Sequence, residues 1–433
     1  MKTFAEVIEY LFARLPMFTR DGASAINPDV DKTLLLCQAL GDPHKKFKSI
    51  HIAGTNGKGS TSHMLASVLA ASGLKTGLYT SPHLVDFRER IRVDGEMIPQ
   101  QFVVDFVNNN RVLIEEIQPS FFEVTVAMAF DYFVQQKVDI AVVEVGLGGR
   151  LDSTNIINPE LCVITNIGMD HMNILGDTLE LIAAEKAGII KPQVPVVISE
   201  RQPDIQQVFL QKAKECNSPI YFADDYYEVR QAERKQEGLD IAVQSKLTKD
   251  IQIWHSDLSG SYQKKNILGV LTAIDQLREL GYSLDEEQIK LGLKTVQEST
   301  GLRGRWQTLS TDPWIICDTG HNEDGIKAVI QNLSTLSFNN LQFIIGAMKD
   351  KDLSHILPLL PKHATYYFAA PNMPRAMKAE ELALLAHSFG LNGKAYPSIE
   401  DAYKASLNDY KEGDLIFVGG STFVVAEVLT NHF

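Results

Sequence analysis

Cysteine is scarce in this chain. Four thiols (Cys37, Cys162, Cys216 and Cys317) are spread over 433 residues, with no CxxC pair and no metal-type spacing. That argues against a disulfide framework and a zinc site, and it fits a reducing compartment. Long apolar runs are missing as well, and none approaches the length needed to span a bilayer. The opening residues MKTFAEVIEYLFARLP interrupt their apolar stripe with Glu6 and Glu9, so they read as an amphipathic helix and not as a signal peptide. A cytoplasmic protein without a membrane partner is expected. Positive charge is in deficit: 41 Lys and Arg against 54 Asp and Glu give −13 at pH 7. No nucleic-acid partner is expected, because a phosphate backbone demands clustered cations. An anionic small molecule would need cations supplied locally, against the global field. Internal repeats and low-complexity tails are also absent.

What remains is an ordinary globular composition, 45% hydrophobic, long enough for two or three domains. VDIAVVEVG (138–146), LCVITNIG (161–168) and VPVVIS (194–199) are apolar nearly throughout, as strands covered on both faces are. They alternate with helical segments such as 58–72 and 121–135. That alternation predicts βαβ units and an α/β fold with a doubly wound, mainly parallel sheet. From about Ile220 to His255 the strands become short and polar, which predicts a small side sheet. A second alternation (WIICD, LQFIIGAM, ATYYFAAP, DLIFVGG) begins after EST-G at 298–301, where the domain boundary is placed.

The stretch HIAGTNGKGSTSHML (51–65) passes from a strand through Gly, Thr, Asn and Lys into a helix. Glycines admit close backbone approach, and a helix start offers unpaired N–H groups with partial positive charge. Gly54-Thr55-Asn56-Gly57-Lys58-Gly59-Ser60 departs from G-x-x-x-x-G-K-[ST], yet keeps a strand before, a helix after, a lysine for phosphates and a hydroxyl for magnesium. It reads as a phosphate cradle, with an ordinary glycine-rich turn as the bland alternative.

Ligands of open α/β sheets bind beyond the carboxyl ends of the strands. Ser81, Glu144, Asp170 and His171 all fall at such ends. A hydroxyl, a carboxylate and an imidazole near a phosphate loop suit a divalent cation of the magnesium type. Each also has a structural reading: Ser81 as a turn residue, Glu144 as a loop cap, His171 as a local hydrogen-bonding group. GLGGR (146–150) lacks the spacing of a dinucleotide loop, so it reads as glycine-rich backbone near a ligand. Lys186, in LELIAAEKAGIIK, has apolar neighbours, and burial would lower its pKa toward a reactive neutral amine. Such an amine can take up CO₂ as a carbamate, although most lysines near helix ends are simply solvated.

Together these segments resemble the folylpolyglutamate synthase/dihydrofolate synthase family of the Mur ligase superfamily. The likeness rests on IHIAGTNGKGS, TSPHL with RERI, FFEVTVAMAF, VVEVGLGGRLDSTN, TNIGMDH, LELIAAEKAGIIK, SYQKKN, LRGRWQ and DTGHNEDG, with LPMFTRDGASAINP near the start. It implies a P-loop ATP-binding domain over 1–299 with a small side sheet, then a smaller Rossmann-like ligase domain over 300–433. Gly57, Lys58, Gly59 and Ser60 would hold the ATP phosphates, with Asn266, Arg305 and Asp318 as further nucleotide contacts. Ser81, Glu144 and His171 would hold magnesium, expected as two ions. Lys186 would be carbamylated (N6-carboxylysine), and His321 would lie near the phosphate-transfer site. Lys58, His171, Lys186 and His321 are therefore the expected catalytic set. The usual family sequence D-G-A-H-N reads DTGHN here, a departure at Thr319-Gly320.

The resemblance implies an ATP-dependent amide ligase that adds L-glutamate to dihydropteroate or folate, acting as a monomer on small molecules. Phe121, Phe122 and the SPHL loop are candidates for the pterin site, although either phenylalanine could be core. Another Mur-type amino-acid ligase, a P-loop phosphotransferase and a non-catalytic nucleotide-binding module are the competing readings.

Overall fold

The apolar segments become buried parallel strands. The computed structural model describes residues 1–25, 27, 29–235, 237–349 and 351–433; Ile26 and Pro28, in the opening segment LPMFTRDGASAINP, lie outside the described residues. Met1–Asp257 and Gln263–Leu302 make one unit, while Leu258–Tyr262 and Arg303–Phe433 make the other. The expected boundary at 299/300 did not include the excursion of Leu258–Tyr262, because five residues are too few to show a period.

The first unit is built on eight strands: β1 (Lys48–Ala53), β2 (Thr76–Tyr79), β3 (Ile91–Val93), β4 (Glu96–Met97), β5 (Ile140–Glu144), β6 (Leu161–Ile164), β7 (Val196–Ile198) and β8 (Ile220–Phe222). Their order is β4-β3-β2-β5-β1-β6-β7-β8, parallel except where β3 and β4 turn back at one edge. β1 lies between β5 and β6 and is buried along nearly its whole length, so its carboxyl end opens at the middle of the sheet. Strand order reverses around such a point, which is where doubly wound sheets bind ligands. A separate three-stranded sheet holds β9 (Tyr227–Arg234), β10 (Leu239–Ser245) and β11 (Ile251–Ser256). The expected side sheet thus exists, but Ile220–Phe222 belongs to the main sheet, paired parallel with β7. A three-residue edge strand is too short to declare its partner.

The opening residues form the helix Phe4–Arg14, with Val7 and Leu11 buried and a reciprocal cap between Thr3 and Glu6. No helix among the described residues is long and apolar enough to cross a membrane.

The second unit carries β12 (Gln307–Thr311), β13 (Trp314–Cys317), β14 (Leu341–Ile345), β15 (Thr365–Ala369), β16 (Asn392–Tyr396) and β17 (Leu415–Gly419), in the order β12-β13-β17-β14-β15-β16. All pairs are parallel except β12 with β13. The four apolar segments are the inner strands. β12 (QTLST) and β16 (NGKAY) were missed because edge strands face water and need no apolar run.

Candidate active site

The loop after β1 is shaped by two glycines. Gly54 stands at φ 144° and Gly57 at φ 87°. A Cβ on Gly54 would lie 1.8 Å from Thr165 Oγ1, and one on Gly57 would lie 2.4 Å from Asn266 Oδ1. The loop is pinned from β6's end: Thr55 N–H donates to Asn166 O (2.8 Å), Asn56 N–H to Asn166 Oδ1 (2.8 Å) and Thr165 Oγ1 to Asn56 O (2.6 Å). Lys58 opens the helix Lys58–Ala71 and folds back over the loop, its Nζ donating to Gly54 O (3.0 Å) and Thr55 O (3.2 Å). Gly59 and Ser60 follow in the first turn, and Ser60 Oγ accepts from Gln263 Nε2 (3.1 Å). Gln263 Oε1 in turn accepts from Asn266 Nδ2 (2.7 Å). Gly57, Lys58, Gly59, Ser60 and Asn266 are therefore brought together. Gln263 is an addition that sequence reading passed over, although the i, i+3 spacing of Gln263 and Asn266 places them on one helix face.

Beside this cradle, Glu144 ends β5 as a buried carboxylate, and its Oε2 accepts the Ser81 N–H (3.3 Å). His171 follows β6 in a left-handed conformation (φ 52°), with its N–H held by Asp170 Oδ1 (2.9 Å) and its ring edge-on to Phe18. Lys186 lies in the helix Leu179–Ala187 and is only 4% exposed. Burial pushes its amine down to about 7, and the Lys58 cation depresses it further while Asp170, Asp152 and Glu185 oppose the shift. The glycine-rich loop serves this helix: Arg150 N–H donates to Glu185 O (2.8 Å), and a Cβ on Gly149 would meet that same oxygen at 2.8 Å. Hydroxyl, carboxylate and imidazole donors fit magnesium, which completes its shell with water and phosphate oxygens. Among the described residues no three His, Cys, Asp or Glu side chains form a metal cage by themselves.

The aromatic candidates separate. Phe121 is core, packed on Phe12 (5.3 Å) and Phe87 (5.9 Å) with the Arg90 guanidinium over its ring. Phe122 is half-buried, against Tyr79 and the bare face of Gly146. In the SPHL loop, His83 Nδ1 accepts from Arg90 Nε (2.7 Å); burial and that cation push the imidazole down to about 3, so it stays a neutral acceptor. Glu123 is a second residue that sequence reading passed over. Its Oε2 accepts from Ser120 N–H and Asn27 Nδ2 (both 2.6 Å), whereas Oε1 is buried without a hydrogen-bond partner among the described residues. Sequence reading singles out only the two phenylalanines of FFEVT.

In the second unit, Asp318 follows β13 and is 3% exposed. Its Oδ2 accepts from Tyr262 OH (2.7 Å) and Trp306 N–H (2.8 Å), and its Oδ1 from Gly320 N–H (2.7 Å). Arg305 Nη1 donates to Thr319 Oγ1 and to Gly304 O (3.3 Å), so the threonine of DTGHN has a definite task. His321 Nδ1 donates to Thr319 O (3.0 Å), and Asn322 caps the following helix. Arg305, Asp318 and His321 thus share one turn system.

Residues 52–274 match the Mur ligase middle domain, and residues 304–422 match the Mur ligase glutamate ligase domain. The chain is 33% identical over 428 residues to the folylpolyglutamate synthase of Lacticaseibacillus casei, covering 96% of each. It is 32% identical to the dihydrofolate synthase/folylpolyglutamate synthase of Bacillus subtilis, covering 93% of this chain and 94% of that protein. The solved structure of Mycobacterium tuberculosis folylpolyglutamate synthase complexed with ADP is similar at TM-score 0.87 and 28% identity, covering 99% of this chain and 98% of that one. Escherichia coli FolC in complex with DHPP and ADP gives TM-score 0.84 at 29% identity, covering 99% and 97%. With a cradle, strand order and domain matches of this kind, the chain belongs to the folylpolyglutamate synthase/dihydrofolate synthase family of Mur ligases.

Proposed function

We propose that the chain joins L-glutamate to a pterin-bearing carboxylate through an acyl phosphate, with the residues above in defined roles. Its family makes it an ATP-dependent ligase that adds glutamate in folate metabolism. A carboxylate resists an amine because its charge is delocalised and it lacks a leaving group. In the proposed sequence a carboxylate oxygen attacks the ATP γ-phosphorus and ADP departs. The glutamate amine then attacks the acyl carbon, loses a proton and expels phosphate. Lys58, the loop N–H groups and Arg305 supply positive charge where it develops, and Asn266 and Asp318 orient the nucleotide. Ser81, Glu144 and His171, with a carbamate on Lys186, are the residues that would hold magnesium, which neutralises phosphate charge when bound. The observation that carries this reading is the buried Lys186 beside the cradle: a phosphotransferase needs only the cradle. Substrate labelled with ¹⁸O in its carboxylate should pass label into inorganic phosphate, and only when glutamate is present to complete turnover. Label retained wholly in the amide product would sink the acyl phosphate. Running dihydropteroate and tetrahydrofolate as separate acceptors decides which of the two reactions, or both, the chain performs.

For the pterin we assign Phe122 as the accessible aromatic and Glu123 Oε1 as an acceptor for the ring's N–H donors. A buried carboxylate oxygen without a partner is costly, and a donor-rich ring edge would satisfy it. Glu123→Gln keeps an acceptor for the helix cap but removes the charge. It should raise KM for the pterin substrate about tenfold, the worth of one charged hydrogen bond, with KM for ATP unchanged. Steady-state kinetics varying each substrate in turn checks this, and equal rises in both constants would refute the assignment.

A further inference from the structure

We propose that Tyr262 is a positioning residue of the reaction: through Asp318 it fixes a left-handed turn at Trp306 and so aims Arg305. The inference rests on the reading of Arg305 as a cation that meets the transferring phosphoryl group.

Trp306 stands at φ 46°. There the Cβ crowds the following carbonyl, and a bulky side chain persists only where its surroundings hold it. Two things hold it. Its ring is buried against Phe417, with centroids 5.8 Å apart. Its N–H donates to Asp318 Oδ2 at 2.8 Å. Asp318 is itself immobilised, because Tyr262 OH shares that oxygen (2.7 Å) and Gly320 N–H holds the other (2.7 Å). The adjacent Arg305 leans on the same turn. Its Nη1 donates to Thr319 Oγ1 and Gly304 O, while Thr319 N–H and Oγ1 both donate to Gly304 O at 3.1 Å. Asp318 is thus the pin of the turn that presents the guanidinium, and Tyr262 acts with Gly320 N–H to keep the pin from rotating.

Tyr262 reaches this place by an unusual route. It ends the five-residue segment Leu258–Tyr262, which leaves the first unit to join the second. Packing alone would be served by phenylalanine. Burial and the Asp318 charge push the phenol well above its ordinary pKa, so it remains a donor throughout the working range.

The test is a double-mutant cycle on the full chain, assayed with ATP, glutamate and tetrahydrofolate or dihydropteroate. Tyr262→Phe should lower kcat by up to about a hundredfold, as misplacement of a catalytic group does, and leave KM for ATP within about twofold. Arg305→Ala should lower kcat further. The double variant should be no slower than Arg305→Ala alone, because a phenol that acts by aiming a guanidinium has nothing left to aim. Thermal melting of each variant verifies folding. Additive losses, or an unaffected Tyr262→Phe beside an impaired Arg305→Ala, would overturn the positioning role alone. A silent Arg305→Ala would remove the reading of Arg305, and the proposal with it.

Discussion

Replacing Lys58 by alanine is expected to lower kcat by about a thousandfold and to weaken ATP binding as well, with the fold intact. The side chain is half-buried over the loop and, among the described residues, bonds to its carbonyls Gly54 O and Thr55 O. Its loss leaves no hole in the core, so the stability change should stay within about 1 kcal/mol. The loss to catalysis is larger, because a preorganised cation in a partly desolvated site costs nothing to reorganise when charge develops. A bound phosphate would take over the contact now made by two weakly basic carbonyls. Steady-state kinetics together with thermal melting separates the two effects. A variant that melts normally and turns over at near the parent rate would remove Lys58 from the mechanism.

Lys186→Ala is expected to lose about a hundredfold or more of kcat, as removal of one preorganised electrostatic group does, and to regain part of it with added formate or acetate. The amine attacks CO₂ only when neutral, forming the carbamate and releasing a proton. Its pKa of about 7 leaves half of the amines neutral at that pH, where an ordinary lysine would have almost none. The sign follows directly: at limiting CO₂, activity should fall as pH drops below about 7, and added bicarbonate should restore it best above that value. A short carboxylate can substitute for carbamate oxygens in the space left by the side chain. No rescue of Lys186→Ala, together with parent activity indifferent to CO₂, would refute the carbamate.

Much of this architecture can be read from the order of residues. Strands buried on both faces, such as β5, announce themselves as unbroken apolar runs, and the cradle announces itself by glycine spacing. The edge strands β12 and β16 do not, since water satisfies one side of them. The site divides along a similar line. Gly57, Lys58, Ser60 and Glu144 lie at the ends of legible strands, so topology delivers them. Gln263, Glu123 and Tyr262 act through partners far away in sequence: Tyr262 bonds a carboxylate 56 residues on. No local pattern encodes such a pairing. Phe121 shows the converse, a residue whose type suited a ring-binding surface but whose position is core.

The two cradle glycines also set how this gene can drift. Any single-base change that replaces a glycine gives a residue with a Cβ. At Gly54 and at Gly57 that carbon would land inside the van der Waals shell of Thr165 or Asn266, on a backbone that L-residues rarely adopt. Every one-step variant therefore begins with a distorted loop, and no neutral path leads out of either position. Change could enter only in the reverse order, with Thr165 or Asn266 giving way first. Asn266 also holds Gln263 on Ser60, so that first step would already loosen the first turn of the helix. The loop is locked in evolution by its neighbours and not by its own chemistry alone.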